Sequence, residues 1–299
     1  MSTASVIDFR DVSHSYGAKR ALDRVSWSLA PGRICALLGR NGAGKTTTIN
    51  ILNSFLEPEA GSCHLLGEDA RALGPATKAR IGYLMEGHVL YGFMDTAQLE
   101  RFHSAFYPRW DGAIYRHLVS KLDIHPRQPA STMSCGQRSQ VALGLVLAQR
   151  PDLIILDDFS MGLDPGYRRL FVETLREYAV DGRRSILLTS HIIQDLEGLA
   201  DDILVYQKGR LLLDMPAAEL LRTHRHYQFT APASGLPHEG FDERTMERLE
   251  CGPRGGSLSG FLDEDKARAR LAALGVDPTT IAPRPANLED IFISLTGKY

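Results

Sequence analysis

Three glycines, a lysine and a threonine stand directly ahead of an apolar helical run in GRNGAGKTTTINIL, residues 39–52. Residues 39–46, GRNGAGKT, fit the spacing GxxxxGK[ST]. Glycines at those positions let successive backbone N–H groups turn inward around phosphate oxygens, and the helix that follows adds the positive end of its dipole. Lys45 would bridge the β and γ phosphates as a point charge, and the Thr46 hydroxyl would ligate Mg²⁺. With a strand-like run before the loop and a helical one after it, the loop is expected to grip a nucleoside triphosphate.

Hydrolysis needs more than a grip. It needs an acid that holds the metal and a group that activates water, and LIILDDFSMGLDP, residues 153–165, offers two carboxylates at the end of an apolar strand. Asp157 would hold Mg²⁺ through water, and Asp158 is placed to polarise the attacking water. Side by side, two such acids are costly without a cation. The other reading is that they cap a helix or close a turn.

The elements that must position these groups alternate between short apolar strands and helical patterns, which signals an α/β sheet. ICALLG leads through the glycine loop into KTTTINILNSF, and DLIILDD and RSILLTSH are continuous apolar runs of the kind that central parallel strands give. Ahead of them lie β-rich segments bounded by Gly, Pro and Asp, such as VIDFRDVSHSY and VSWSLAPG. From about residue 223 the texture changes to a region dotted with Gly, Pro and His. A domain boundary is therefore expected there, giving residues 1–222 and 223–299. The tail offers a strand HYQFTA, a looped ECGPRGGSLSGF and helices in DEDKARARLAAL and NLEDIFISLTG.

The 299 residues carry a formal net charge of −2 with both signs interspersed, so bulk attraction to nucleic acid or to an anionic membrane is not expected. Cys35, Cys63, Cys135 and Cys251 are far apart and form no CxxC pair, which argues against a compact zinc site and a disulfide framework. A reducing cytosol is the simplest setting. The start MSTASVIDFRDVSHSYG does not read as a signal peptide. Apolar runs such as VALGLVLA fall short of the roughly 20 residues of a membrane span, so another chain would have to do any spanning.

From about residue 5 to 222 the sequence resembles the ATP-binding subunits of ABC transporters. The fold implied is a P-loop ABC ATPase with an antiparallel β subdomain, a helical subdomain at about 87–150, and here a small C-terminal α/β appendage. MSCGQ, residues 133–137, stands where that family has its signature at the start of a helix, and SMGLDP matches the D-loop. The resemblance implies nucleotide contacts from Tyr16, which matches the aromatic that stacks on adenine, and from Asn41, Gly42, Ala43, Gly44, Lys45, Thr46 and Thr47. From the opposite protomer it implies Ser134, Gly136 and Gln137, with Asp164 in the D-loop. It also implies a switch role for His191, which follows ILLTS and would reach the γ phosphate. The expected cofactors are ATP and Mg²⁺, with Thr46, Glu86 and Asp157 on the metal and Asp158, His191 and Glu86 in catalysis.

IGYLMEGHVLYGFMDTAQLERFHSAFYPRWD and the ending LEDIFISLTG further resemble ATPases of ABC-2 type exporters. That implies a homodimer or heterodimer of ATPase subunits on a separate integral-membrane permease, peripheral to the cytoplasmic face, with no nucleic-acid partner. Three positions depart from the family pattern. Asp158 replaces the usual catalytic Glu and is one methylene shorter, so turnover is expected to be slow. Glu86 replaces the Q-loop glutamine and adds a third carboxylate, and Cys135 replaces the first signature glycine. A slow or regulatory ATPase acting without transport is the alternative these departures keep open.

Two further expectations concern surfaces. The loop-borne Tyr91, Phe93 and Met94, within a stretch that also holds Leu90, Phe102, Phe106, Tyr107 and Trp110, are expected to dock the permease. In the tail, His224, His226, Asp263 and Glu264 are expected on a solvated face and not in a metal site.

Overall fold

A computed structural model of the chain describes residues 5–180, 184–232, 235–236, 240–252 and 255–297. It divides into two compact units, Met1–Asp214 and Met215–Tyr299, so the division falls after Asp214 and not after residue 222. Helix Ala217–Thr223, read from the sequence as the end of the ATPase region, lies in the second unit.

The first unit is built on two sheets. One has six strands in the order Arg210–Pro216, Asp202–Gln207, Ile34–Gly39, Ser185–Leu188, Leu153–Leu156, Ile81–Leu84. Its central pairings are parallel, with Ile34 opposite Ile186, Leu153 opposite Ser185 and Ile81 opposite Leu153. Because helices cover both faces of such a sheet, Leu153, Ile154, Ile155 and Leu156 are all fully buried. Each burial of that kind contributes about 1.5–3 kcal/mol relative to exposure. The second sheet is antiparallel and holds the long strands Ile7–Tyr16 and Lys19–Leu29 beside Ala60–Leu65 and Glu68–Asp69.

One core joins the two sheets. Phe9 stacks on Trp27 with ring centroids 5.4 Å apart, and the Trp27 indole N–H donates to the hydroxyl of the buried Tyr206 at 2.6 Å. A separate core holds the helical region. Helices Thr96–Ser104, Gly112–Ser120 and Cys135–Ala148 bury Leu99, Tyr115, Val141 and Leu145 against one another. Asp95 and Gln98 close a capping box on the first of these helices, and Asp111 caps the second.

In the second unit five strands pair antiparallel in the order Gly240–Asp242, Glu247–Gly252, Gly255–Gly260, Arg225–Phe229, Ala282–Arg284. Tyr227, Phe229, Leu258, Leu262 and Leu271 form its core. The stretch read as looped, ECGPRGGSLSGF, supplies the end of strand Glu247–Gly252 and all of strand Gly255–Gly260. Its glycines are not turn signals alone: a Cβ on Gly256 would stand 2.2 Å from the Phe229 ring on the neighbouring strand, so the missing side chain makes room for that ring. His224 is a second correction. It is buried, not solvated, with Nε2 2.9 Å from the Ser294 hydroxyl, and burial pushes its pKa down to about 4. Asp263 and Glu264 are exposed as expected, and Asp263 caps helix Glu264–Ala272.

Candidate active site

Strand Ile34–Gly39 ends in the glycine loop, and helix Lys45–Leu52 begins directly after it. Gly44 has φ 110°, and a Cβ there would stand 2.7 Å from the Ala21 carbonyl, so both backbone angle and space demand glycine. Lys45 Nζ donates to the carbonyls of Gly39 and Arg40 at 2.6 and 3.4 Å, which keeps the ammonium over the loop. Burial lowers its pKa, while Asp158 and Asp157 act in the opposite direction.

Strand Ser185–Leu188 runs parallel beside the loop strand and Leu153–Leu156 parallel beside that one, so their carboxyl ends open onto the same edge. There a cleft of about 430 Å³ is lined by Tyr16, Asn41, Gly42, Gly44 to Thr47, Glu86, Asp157, Asp158 and His191. Residues separated by up to 175 positions in sequence thus share one wall; Ala43 is buried beneath the loop and does not line the cleft.

Neither Asp157 nor Asp158 caps a helix. Thr189 holds the pair: its hydroxyl accepts from the Asp158 N–H at 2.8 Å and donates to Asp157 Oδ1 at 3.0 Å. Burial raises both carboxyl pKa values. For Asp157 the Thr189 hydrogen bond opposes that rise, whereas the nearby Glu86 and Asp158 add to it. For Asp158 the His191 charge opposes it. His191 Nε2 lies 3.0 Å from Asp158 Oδ2 as an ion-pair contact without hydrogen-bond alignment. Asp158 has φ 44°, a left-handed conformation that aspartate tolerates better than most side chains.

Thr189, Ser190 and Lys19 also line the cleft and were not singled out from the sequence. Thr189 had a local signal, since a Thr at the end of an apolar strand and two positions before His191 faces whatever His191 faces. Lys19 had none, because its place at the cleft depends on the pairing of the two long antiparallel strands.

The signature residues are elsewhere in the chain. Ser134 caps helix Cys135–Ala148, accepting from the Gln137 N–H at 3.1 Å while Gln137 Oε1 accepts from the Ser134 N–H at 2.9 Å. Capping uses the acceptor side of the Ser134 hydroxyl and leaves its proton available. Neither Ser134, Gly136, Gln137 nor Asp164 lines the cleft described above. Asp164 caps helix Pro165–Ala179 through the N–H groups of Gly166 and Tyr167. Gly136 is fixed by space, because a Cβ there would lie 2.2 Å from the Tyr167 ring.

The aromatic stretch divides. Tyr91, Phe93 and Phe106 are exposed, and ring contacts run from Phe93 through Tyr91 and Phe102 to Phe106 at 6.1, 5.0 and 5.2 Å. Met94, expected beside Tyr91 and Phe93 at the surface, instead packs with Leu90 and Trp110 against the helical core.

The strand order, the glycine loop at its switch point and the paired acids facing it are those of a P-loop ATPase. Residues 22–160 match the family described as ABC transporter. Over 98% of both chains the sequence is 31% identical to a Nod factor export ATP-binding protein I of Paraburkholderia xenovorans. It is also 31% identical to the protein of the same name from Mesorhizobium japonicum, over 98% of this chain and 87% of that one. Among solved structures, an ATP-binding subunit of an ABC transporter superposes with a TM-score of 0.65 at 24% identity, covering 73% of this chain and 92% of that one. An ATP-binding cassette dimer in a post-hydrolysis state with ADP and Pi gives 0.63 at 17% identity, covering 70% and 98%. The chain belongs to the ABC transporter family. It is an ATP-binding, ATP-hydrolysing subunit of an exporter.

Proposed function

We propose that two such subunits, identical or related, close head to tail around two ATP molecules, each cleft receiving Ser134 and Gly136 from the opposite protomer. The observation that carries this reading is the division of labour within one chain: the cleft gathers the phosphate loop, the acids and His191, while an exposed Ser134 at a helix N-terminus lies outside it. In the closed pair the Ser134 proton and the Gly136 amide meet the γ phosphate, Tyr16 stacks on adenine and Lys45 bridges the β and γ phosphates. Asp164 and Gln137 hold the helix ends beside the junction.

The acid corner fits a hard cation. Thr46, Asp157 and Glu86 offer only oxygen, and among the described residues no cluster of three His, Cys, Asp or Glu side chains could hold a metal alone. That is the donor set of Mg²⁺, which takes one or two protein carboxylates together with substrate phosphates. Bound there, such an ion would supply positive charge against the phosphates. Asp158 accepts the proton of the attacking water, and His191 steadies the γ phosphate. Because the Asp158 side chain is one methylene shorter than glutamate, its backbone must set the reach, and turnover is slow.

The pair works on a separate ABC-2 type permease at the cytoplasmic face of the membrane. Among the described residues no helix is long and apolar enough to cross a membrane. The exposed Tyr91, Phe93 and Phe106 offer the permease an apolar docking surface. Residues from Met215 onward form an accessory unit that braces or regulates the pair. Size-exclusion chromatography of Asp158→Asn with MgATP tests the composite site. The variant should run as a dimer with ATP and as a monomer without it; a monomer that has bound ATP would overturn the reading.

A further inference from the structure

His88 has no part in the chemistry above, yet it is 1% exposed and stands two residues beyond Glu86. Gly87 and His88 have φ 83° and 50°, and two successive left-handed residues turn the ring inward. There Nε2 lies 3.1 Å from the carbonyl oxygen of Phe159. A carbonyl can only accept, so Nε2 carries the proton, and burial, which lowers the His88 pKa, favours the neutral ring with Nδ1 bare; Nδ1 is buried and has no hydrogen-bond partner among the described residues. The ring also stands 6.4 Å from Phe171, which stacks on Phe159 at 4.9 Å. For packing alone an apolar ring would serve better here, since it would leave no buried acceptor unsatisfied.

Phe159 directly follows Asp158, and the turn is held at each residue. Thr189 takes the Asp158 N–H at 2.8 Å, and the Ser160 hydroxyl meets that of Ser190 at 2.7 Å. Within the turn the Met161 N–H donates to the Asp158 carbonyl at 3.2 Å, and the side-chain hold on the Phe159 carbonyl is His88. We propose that His88 is a positioning residue for Asp158: its Nε2–H grip on the Phe159 carbonyl fixes the turn from which the short catalytic carboxylate reaches its water. The inference rests on the reading of Asp158 as the base.

Three substitutions test it in the full-length protein. His88→Phe fills the ring volume and removes the donor. His88→Gln puts an amide N–H near the Nε2 position, whereas the shorter amide of His88→Asn falls near Nδ1. A displacement of order 1 Å can cost about a hundredfold in rate, so a partial loss of the hold should lower kcat roughly tenfold in the Phe and Asn variants. Their KM for ATP and their nucleotide affinity should stay at wild-type values, and the Gln variant should recover most of kcat. Wild-type kcat in His88→Phe, or equal kcat in the Gln and Asn variants, overturns the positioning role. Should the Phe variant fail to fold, the Gln and Asn comparison decides. Full turnover in Asp158→Asn, measured in parallel, would instead overturn the assignment of the base.

Discussion

His191 meets the Asp158 carboxylate twice: its backbone N–H donates to Oδ1 at 3.3 Å, and its Nε2 lies 3.0 Å from Oδ2 as an ion-pair contact. Burial raises the Asp158 pKa and the histidine charge opposes the rise. A protonated Asp158 cannot take a proton from water, so kcat should fall as pH drops through a value higher than that of an ordinary aspartate. His191→Ala removes the opposing influence. The acid limb of the kcat profile at saturating MgATP should therefore move to higher pH, beside an overall loss of rate. A limb displaced to lower pH would show that Asp158 is not the titrating base.

Asp157 makes the opposite prediction for stability. Its folded-state pKa is raised, first by burial and further by Glu86 and Asp158. A raised carboxyl pKa contributes stability that is full below the unfolded value and is lost as pH rises through the folded one. At neutral pH the ionised Asp157 therefore opposes folding of the nucleotide-free chain. Asp157→Asn should raise its Tm at pH 7 while abolishing the extra stabilisation that Mg²⁺ adds to bound ATP. Thermal scans with ATP, with and without a chelator, read both effects. A variant with lower Tm in the absence of nucleotide contradicts the argument.

The placement of Ser134 outside its own cleft leads to a third expectation. Ser134→Arg puts charge and bulk at a helix N-terminus without touching the loop around Lys45. ATP affinity of the single chain should be unchanged, while turnover should be blocked. Equilibrium binding and steady-state hydrolysis separate the two. A variant that binds and hydrolyses at the original rate would remove Ser134 from the site.

Tyr91 and Phe93 carry the fourth. They are 49% and 75% exposed and their rings touch, as expected for anchors that await a partner. Tyr91→Ala with Phe93→Ala should leave ATP binding intact and weaken association with the permease by about 2 kcal/mol or more, the scale of an interface hot spot. Co-purification with the membrane subunit is the measurement. Wild-type yield with unimpaired transport would move the docking surface elsewhere.

Much of the site was legible because its motifs encode local backbone. Gly44 must be left-handed, and Asp157 and Asp158 must end a strand, whatever else surrounds them. What the sequence hid was non-local. Gly255 and Gly256 looked like loop residues because their order comes from strand pairing, Gly256 with Phe229 and Gly255 with Gly252. His224 looked solvated because its partner, Ser294, lies 70 residues away. Met94 shares a loop with Phe93, yet it turns into the helical core, and residue type alone does not say which way a loop side chain faces. The FYPRWD stretch gained its meaning only in three dimensions. Arg109 donates to Asp152 at 2.9 Å and to the Arg150 carbonyl, and Arg80 joins the same carboxylate at 2.6 Å, directly ahead of the strand that delivers Asp157.

Ser134 and Lys45 lie on different surfaces of one chain, and that separation has a genetic signature. Each closed pair would hold two half-and-half sites, so a lesion in the loop and a lesion in the signature need not meet in the same site. In a mixed dimer of a Lys45→Ala chain with a Ser134→Arg chain, one site collects both lesions and the other is whole. Two alleles that are each silent alone should therefore complement one another when expressed together, and two alleles of the same lesion should not.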